Sequence, residues 1–189
     1  MKRITLQLLT IISIFTLISC GENSAKQPAT ESGFFNIEKD IKKQFGDNAY
    51  FTNLSIIHDA SIGNIISLTV TDNPESLKMG EWNQAQGTWK QNAEVTLEVP
   101  EGTKAADFMF QLNYQINLSK LGALIEQSKK QLQEEKNLDN PTLSIASIIF
   151  PKNGDISKTE YSINLKPENG GTTFRFYYTR NGELRKMDY

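Results

Sequence analysis

The chain has 189 residues, 20 basic and 22 acidic side chains, one histidine and one cysteine, for a formal charge of −2. That balance lacks the basic stripe of a nucleic-acid-binding protein. One histidine and one cysteine are also too few for a zinc centre, which wants three or four Cys, His or carboxylate ligands.

The first element is a leader. Met1-Lys2-Arg3 precedes an apolar run from Ile4 to Leu17 with few polar interruptions. Two charges followed by a short apolar stretch have the form of a secretory signal. The run is too short for a transmembrane helix, which needs roughly 20 apolar residues. Leu17-Ile18-Ser19-Cys20 follows, and it resembles the lipobox of bacterial lipoproteins. The resemblance implies that residues 1–19 are a signal peptide and that Cys20 is acylated and becomes the mature N-terminus. The membrane is then a partner through acylated Cys20. Loss of Lys2 and Arg3 moves the formal charge from −2 to −4, and no thiol remains for a disulfide, so stability must come from a packed core. Residues 20–32 read as a lipid-anchored flexible tether, because Gly21 to Ser32 is small and polar with one proline. By the same resemblance, Gly21 lacks the Asp that marks inner-membrane retention in some bacteria. Glu22 stands without the acidic cluster of some surface-exported lipoproteins. The expected location is an outer membrane, facing the periplasm.

Residues 33–116 read as one helix and four strands. Phe34, Ile37, Ile41 and Phe45 recur at helical spacing, with Ser32 as a cap and Gly46 just past the end. Tyr50 to His58 and Ile65 to Thr71 alternate as strands. Asp72 to Gly87, interrupted by Pro74, Gly80 and Gly87, reads as a long loop. Thr88 to Val99 is the cleanest alternation in the chain, and it places Trp89 in the core. Asp107 to Ile116 reads as the fourth strand, with a helix over 104–112 as the competing assignment.

Residues 117–189 repeat the order. Leu118, Leu121, Leu124, Ile125, Ser128 and Leu132 form one helical face, which Asn140-Pro141 closes off. Four strands follow near 143–150, 157–166, 172–179 and 184–189. Their connections carry Asn153-Gly154, Asn169-Gly170 and Asn181-Gly182, residue pairs that suit the tight turns of an antiparallel meander. The fold class expected is α+β: two tandem helix-plus-four-strand units, an antiparallel sheet with helices on one face. In element order this resembles the tandem αββββ arrangement of beta-lactamase inhibitor proteins, a family that carries disulfides for which this chain has no thiols. The chain as a whole is similar to small lipoproteins of Bacteroidetes-type bacteria.

Residues that carry chemistry are sparse. His58 beside Asp59 lacks a nucleophile partner at any telling spacing. Gly170-Gly171 lies between strands rather than between strand and helix, so it is no phosphate loop. Glu134-Glu135, after Lys129-Lys130, suits a solvated helix face. No catalytic residue, metal ligand or cofactor follows from these patterns. The strongest candidates are for binding. Trp82 and Met79 lie in the long loop, where aromatic and Met side chains suit a partner. Arg175 and Tyr177, with Glu160, Ser162 and Asn164, form the polar parity of two neighbouring strands. The function expected is a non-enzymatic envelope lipoprotein that binds a protein or an envelope polymer. The alternatives are a carrier of an apolar ligand held by Phe108, Phe110, Phe174, Phe176 and Tyr178, and a carboxylate-dependent hydrolase.

Overall fold

Capping chemistry sets both helices. In the computed structural model, which describes residues 23–189, helix α1 spans Glu31–Phe45 and helix α2 spans Leu118–Lys136. Thr30 caps α1 by accepting the Gly33 N–H, so the helix begins before Ser32, the cap expected from the sequence. Asn117 caps α2 by accepting the Lys120 N–H at 2.8 Å. Asn137 ends α2 in the left-handed region, with φ 49°, a conformation Asn tolerates better than most residues.

The helices lie side by side and antiparallel, and each carries a carboxylate for the other's first turn. Glu38 of α1 accepts the Leu118 N–H at 2.7 Å, and Glu126 of α2 accepts the Glu31 N–H at 2.8 Å. A helix N-terminus leaves unpaired donors and a partial positive charge, and both are met by these side chains. The close approach depends on Gly122, where a Cβ would lie 2.3 Å from the Thr30 carbonyl oxygen.

The strands are β1 Tyr50–Asp59, β2 Gly63–Thr71, β3 Lys78–Ala85, β4 Thr88–Thr96, β5 Thr142–Ile149, β6 Glu160–Lys166, β7 Phe174–Thr179 and β8 Leu184–Asp188. They form one sheet in the order β4-β3-β2-β1-β5-β6-β7-β8, antiparallel throughout. The fold is α+β, and the helices cover one face. Each unit is a meander, and the two join where β1 pairs with β5, with Leu54 opposite Ile148 and Ile57 opposite Ile145. The core lies between helices and sheet. Phe34, Ile37, Ile41, Leu121, Ile125 and Leu132 meet Leu54, Ile56, Leu68, Ile163, Phe176 and Tyr178, all buried. In the second unit the turn glycines behave alike: the N–H groups of Gly154, Gly170 and Gly182 donate to the carbonyls of Pro151, Pro167 and Thr179.

Two elements of the first unit differ from the sequence reading. Residues 72–87 are not a long loop: after a 3-10 turn at Pro74–Ser76, β3 fills half of the segment. Its sequence, Lys-Met-Gly-Glu-Trp-Asn-Gln-Ala, has no clean apolar period. It is a strand because β2 and β4 flank it and pair with its backbone on both sides. Residues 107–116 form neither a strand nor a helix over 104–112. A 3-10 turn at Ala105–Phe108 leads to a single bridge between Phe110 and Phe51. The alternating apolar residues there close one end of the sheet: Phe110, Leu112 and Ile116 are buried, while Tyr114 is exposed.

The expected tether also differs. Cys20 and the leader lie outside the described residues, but from Asn23 onward the segment is packed. Ser24 and Ala25 are buried, the Ser24 hydroxyl donates to Asp40 at 2.8 Å, and the Asn64 amide donates to the carbonyls of Ser24 and Gln27 at 3.0 and 2.7 Å. Polar composition does not prevent packing when the fold supplies a hydrogen-bond partner for each buried polar group.

Candidate binding surface

Successive side chains on a strand point to opposite faces, so the parity that avoids the helices lies on an uncovered face. The register lines these residues up across the strands. Ser67, Ser55, Ser147 and Ser162 stand directly opposite one another on β2, β1, β5 and β6. The row continues to Asn83 on β3 in one direction, and to Tyr177 on β7 and Lys186 on β8 in the other. At about 4.8 Å per strand the row spans roughly 29 Å. Beside it runs a second row, Ile65, Ile57 and Ile145, again in direct register on β2, β1 and β5. Ile57 and Ile149 are 39% and 41% exposed. The centre of this face is therefore made of hydroxyls that both donate and accept and of branched aliphatic side chains.

Charges flank the centre on both sides: Lys90 stands opposite Asn83, and Glu81 shares its parity, at the β3–β4 side, while ion pairs lie toward β8. Arg185 pairs with Glu160, and Lys186 with Asp188 at 2.7 Å. Exposed pairs of this kind contribute little to stability. The far end of the face is closed by the connection between the units. Ala105 and Met109 pack there on Met79, with Tyr50, Val95 and Leu97 around them.

The four residues singled out from the sequence do not form one site. Arg175 and Tyr177 lie on the uncovered face, with Arg175 opposite Asn164 and Asp188 and Tyr177 opposite Ser162 and Lys186. Met79 is 2% exposed, and its sulfur accepts the Thr52 hydroxyl. Trp82 is on the other parity of β3, half-buried, with its ring 5.3 Å from Phe45 in an edge contact. Trp89 packs on the same Phe45 ring at 5.0 Å and is half-buried. The serine row is the feature the sequence reading missed. Alternation marked Ser67 as outward-facing, but nothing in one strand's sequence gives its register against the next.

Other polar groups serve the fold. His58 Nδ1 meets the Asn64 side-chain oxygen at 3.0 Å, behind the β1–β2 turn. Glu38, nearly buried, is occupied by Leu118 and Lys42. Gln84 and Trp89, opposite one another, each keep one buried polar atom without a partner, Oε1 and Nε1. Among the described residues no group of three or more His, Cys, Asp or Glu side chains is placed to hold a metal. The aromatics considered as a ligand lining pack on their neighbours: Phe110 on Phe51 and Phe150, and Phe176 on Tyr178, whose hydroxyl meets Ser128 at 2.7 Å. A cleft of about 310 Å³ lies between Phe45, Val70, Trp82 and Glu94, with a mixed polar and apolar lining. No family model matches the chain, and no curated protein or solved structure matches it.

Proposed function

We propose that the protein is a non-enzymatic envelope lipoprotein, held by acylated Cys20 on the periplasmic face of an outer membrane, whose uncovered sheet face binds another protein. The observation that supports binding is the in-register serine row beside the in-register isoleucine row. Isoleucines at the centre supply apolar area, and the neighbouring hydroxyls satisfy polar groups that a partner buries. A protein suits this face better than a sugar polymer, which is gripped by flat aromatic rings. The two central rows carry none before Tyr177, near the β8 side.

The test is capture of the partner by the membrane-anchored protein after mild crosslinking, comparing wild type with Ile57→Asp. Ile57 is 39% exposed, so the charge leaves the core intact and circular dichroism is unchanged. Retention is expected to fall by about tenfold or more, the effect of losing about 1.4 kcal/mol of binding. Undiminished retention by a folded Ile57→Asp protein contradicts the proposal.

A further inference from the structure

We infer that one end of the sheet, formed by the β1–β2 and β3–β4 turns and the segment beginning at Asn23, is a contact surface for lipid headgroups. The inference rests on the reading of Cys20 as the acylated anchor.

Between Cys20 and Asn23 stand only Gly21 and Glu22. Three Cα-to-Cα steps of 3.8 Å cannot exceed about 11 Å. Asn23 and its successors are fixed to the fold. The Asn23 side chain accepts the Ala25 N–H at 3.0 Å, and it lies so close to the β3–β4 turn that a Cβ at Gly87 would be 2.8 Å from its Oδ1. Ala25, 4% exposed, presses its carbonyl into the β1–β2 turn, where a Cβ at Gly63 would lie 2.1 Å away. The lipid attachment therefore stands within about 11 Å of a rigid end of the domain. The polar layer of one leaflet is itself roughly 5–8 Å deep, so this end is held within it or within roughly 3–6 Å of its edge.

The side chains at that end fit the placement. Ile62, at the tip of the β1–β2 turn, is 38% exposed. Lys26, exposed beside the anchor segment, supplies a cation for a phosphate headgroup. The turn carrying Ile62 is braced, because Asp59 accepts the N–H groups of Ser61 and Ile62 at 2.8 and 3.0 Å. Both turns lie at the same end of the sheet, so the strands run away from the bilayer. The uncovered face is presented sideways, toward something that also stands on the membrane.

The test uses the full acylated protein in vesicles of phosphatidylethanolamine and phosphatidylglycerol. Once Cys20 is acylated its sulfur is a thioether, so a new cysteine is the only free thiol. Ile62→Cys and Lys152→Cys, the latter in the exposed β5–β6 connection at the opposite end, are each labelled with an environment-sensitive dye. Headgroup-spin-labelled lipid is expected to quench the dye at position 62 severalfold more than the dye at 152. Inserting about ten Gly and Ser residues between Glu22 and Asn23, a span of roughly 18 Å, should abolish the difference. Equal quenching at both positions in protein that floats with the vesicles overturns the inference alone. Protein that does not float overturns the anchor and the inference with it.

Discussion

The two units share an order of elements but cover their outer strands differently. In the second unit α2 has 19 residues, and β6 and β7 bury Tyr161, Ile163, Leu165, Phe174, Phe176 and Tyr178 beneath the helix layer. In the first, α1 has 15 residues, and β3, the strand next to the edge, buries only Met79 and Gln84, while the edge strands β4 and β8 both lack a fully buried residue. The outer part of the first unit leans on Phe45, the last residue of α1, which wedges against Trp82 and Trp89. On the other face Met79, Ala105 and Met109 make a small second core. On the helix side the rings of Phe45, Trp82 and Trp89 fill the space beside the end of α1, while the connection between the units packs on the opposite face.

The largest test of this contrast is truncation in the two outer regions. Phe176→Ala should cost about 3–5 kcal/mol, as expected for a fully buried ring. Val95→Ala, half-buried in β4, should cost under about 1.5 kcal/mol. Urea denaturation midpoints measure both, and equal losses would show the first unit to be as tightly covered as the second. Next is the reciprocal pair of carboxylates. Glu38→Gln removes a charged acceptor that is 7% exposed and should cost about 1.5–3 kcal/mol. Glu126→Gln, on the exposed side, should cost only a few tenths of a kcal/mol, as for other surface charges at a helix N-terminus.

A third effect is silent at neutral pH. Burial pushes the phenols of Tyr161 and Tyr178 above the usual tyrosine range, most strongly opposed at Tyr161 by the Asn117 N–H and at Tyr178 by Ser128. A raised value means that the folded state holds its proton more tightly. The stabilisation is fully present below the unfolded value of about 10 and is lost as pH rises toward the folded values. Stability measured from pH 8 upward should fall beyond about pH 10, and Tyr178→Phe should make that fall shallower. The smallest effect belongs to Trp89, whose Nε1 is buried without a partner. Trp89→Phe removes that donor together with part of the ring and should change stability by less than about 1 kcal/mol, as read from the thermal midpoint.

The same contrast decides what was legible in the sequence. The second unit buries strict alternations under a long amphipathic helix, and its strands and Asn-Gly turns could be read directly. In the first, β3 owes its strand character to the backbones on either side of it, and the alternation from Phe108 to Ile116 closes the end of the sheet without pairing along it. Neither fact is local. The packed segment after Asn23 was hidden for a related reason, since its partners Asp40, Gly63 and Asn64 lie at a distance in the chain. The binding face was half legible. Its polar parity in β6 and β7 was visible, while the serine row depends on register across four strands.

One face of the sheet is covered by the helices and the other is proposed to bind. The most direct measurement places a photoactivated crosslinking side chain at Ser147, in the serine row, and in a second protein at Gln127, exposed on α2, and irradiates living cells. A discrete higher-mass adduct from position 147 and none from position 127 is the predicted result. An adduct from position 127 alone, or none from either position in correctly anchored protein, would contradict the assignment of the sheet face as the binding surface.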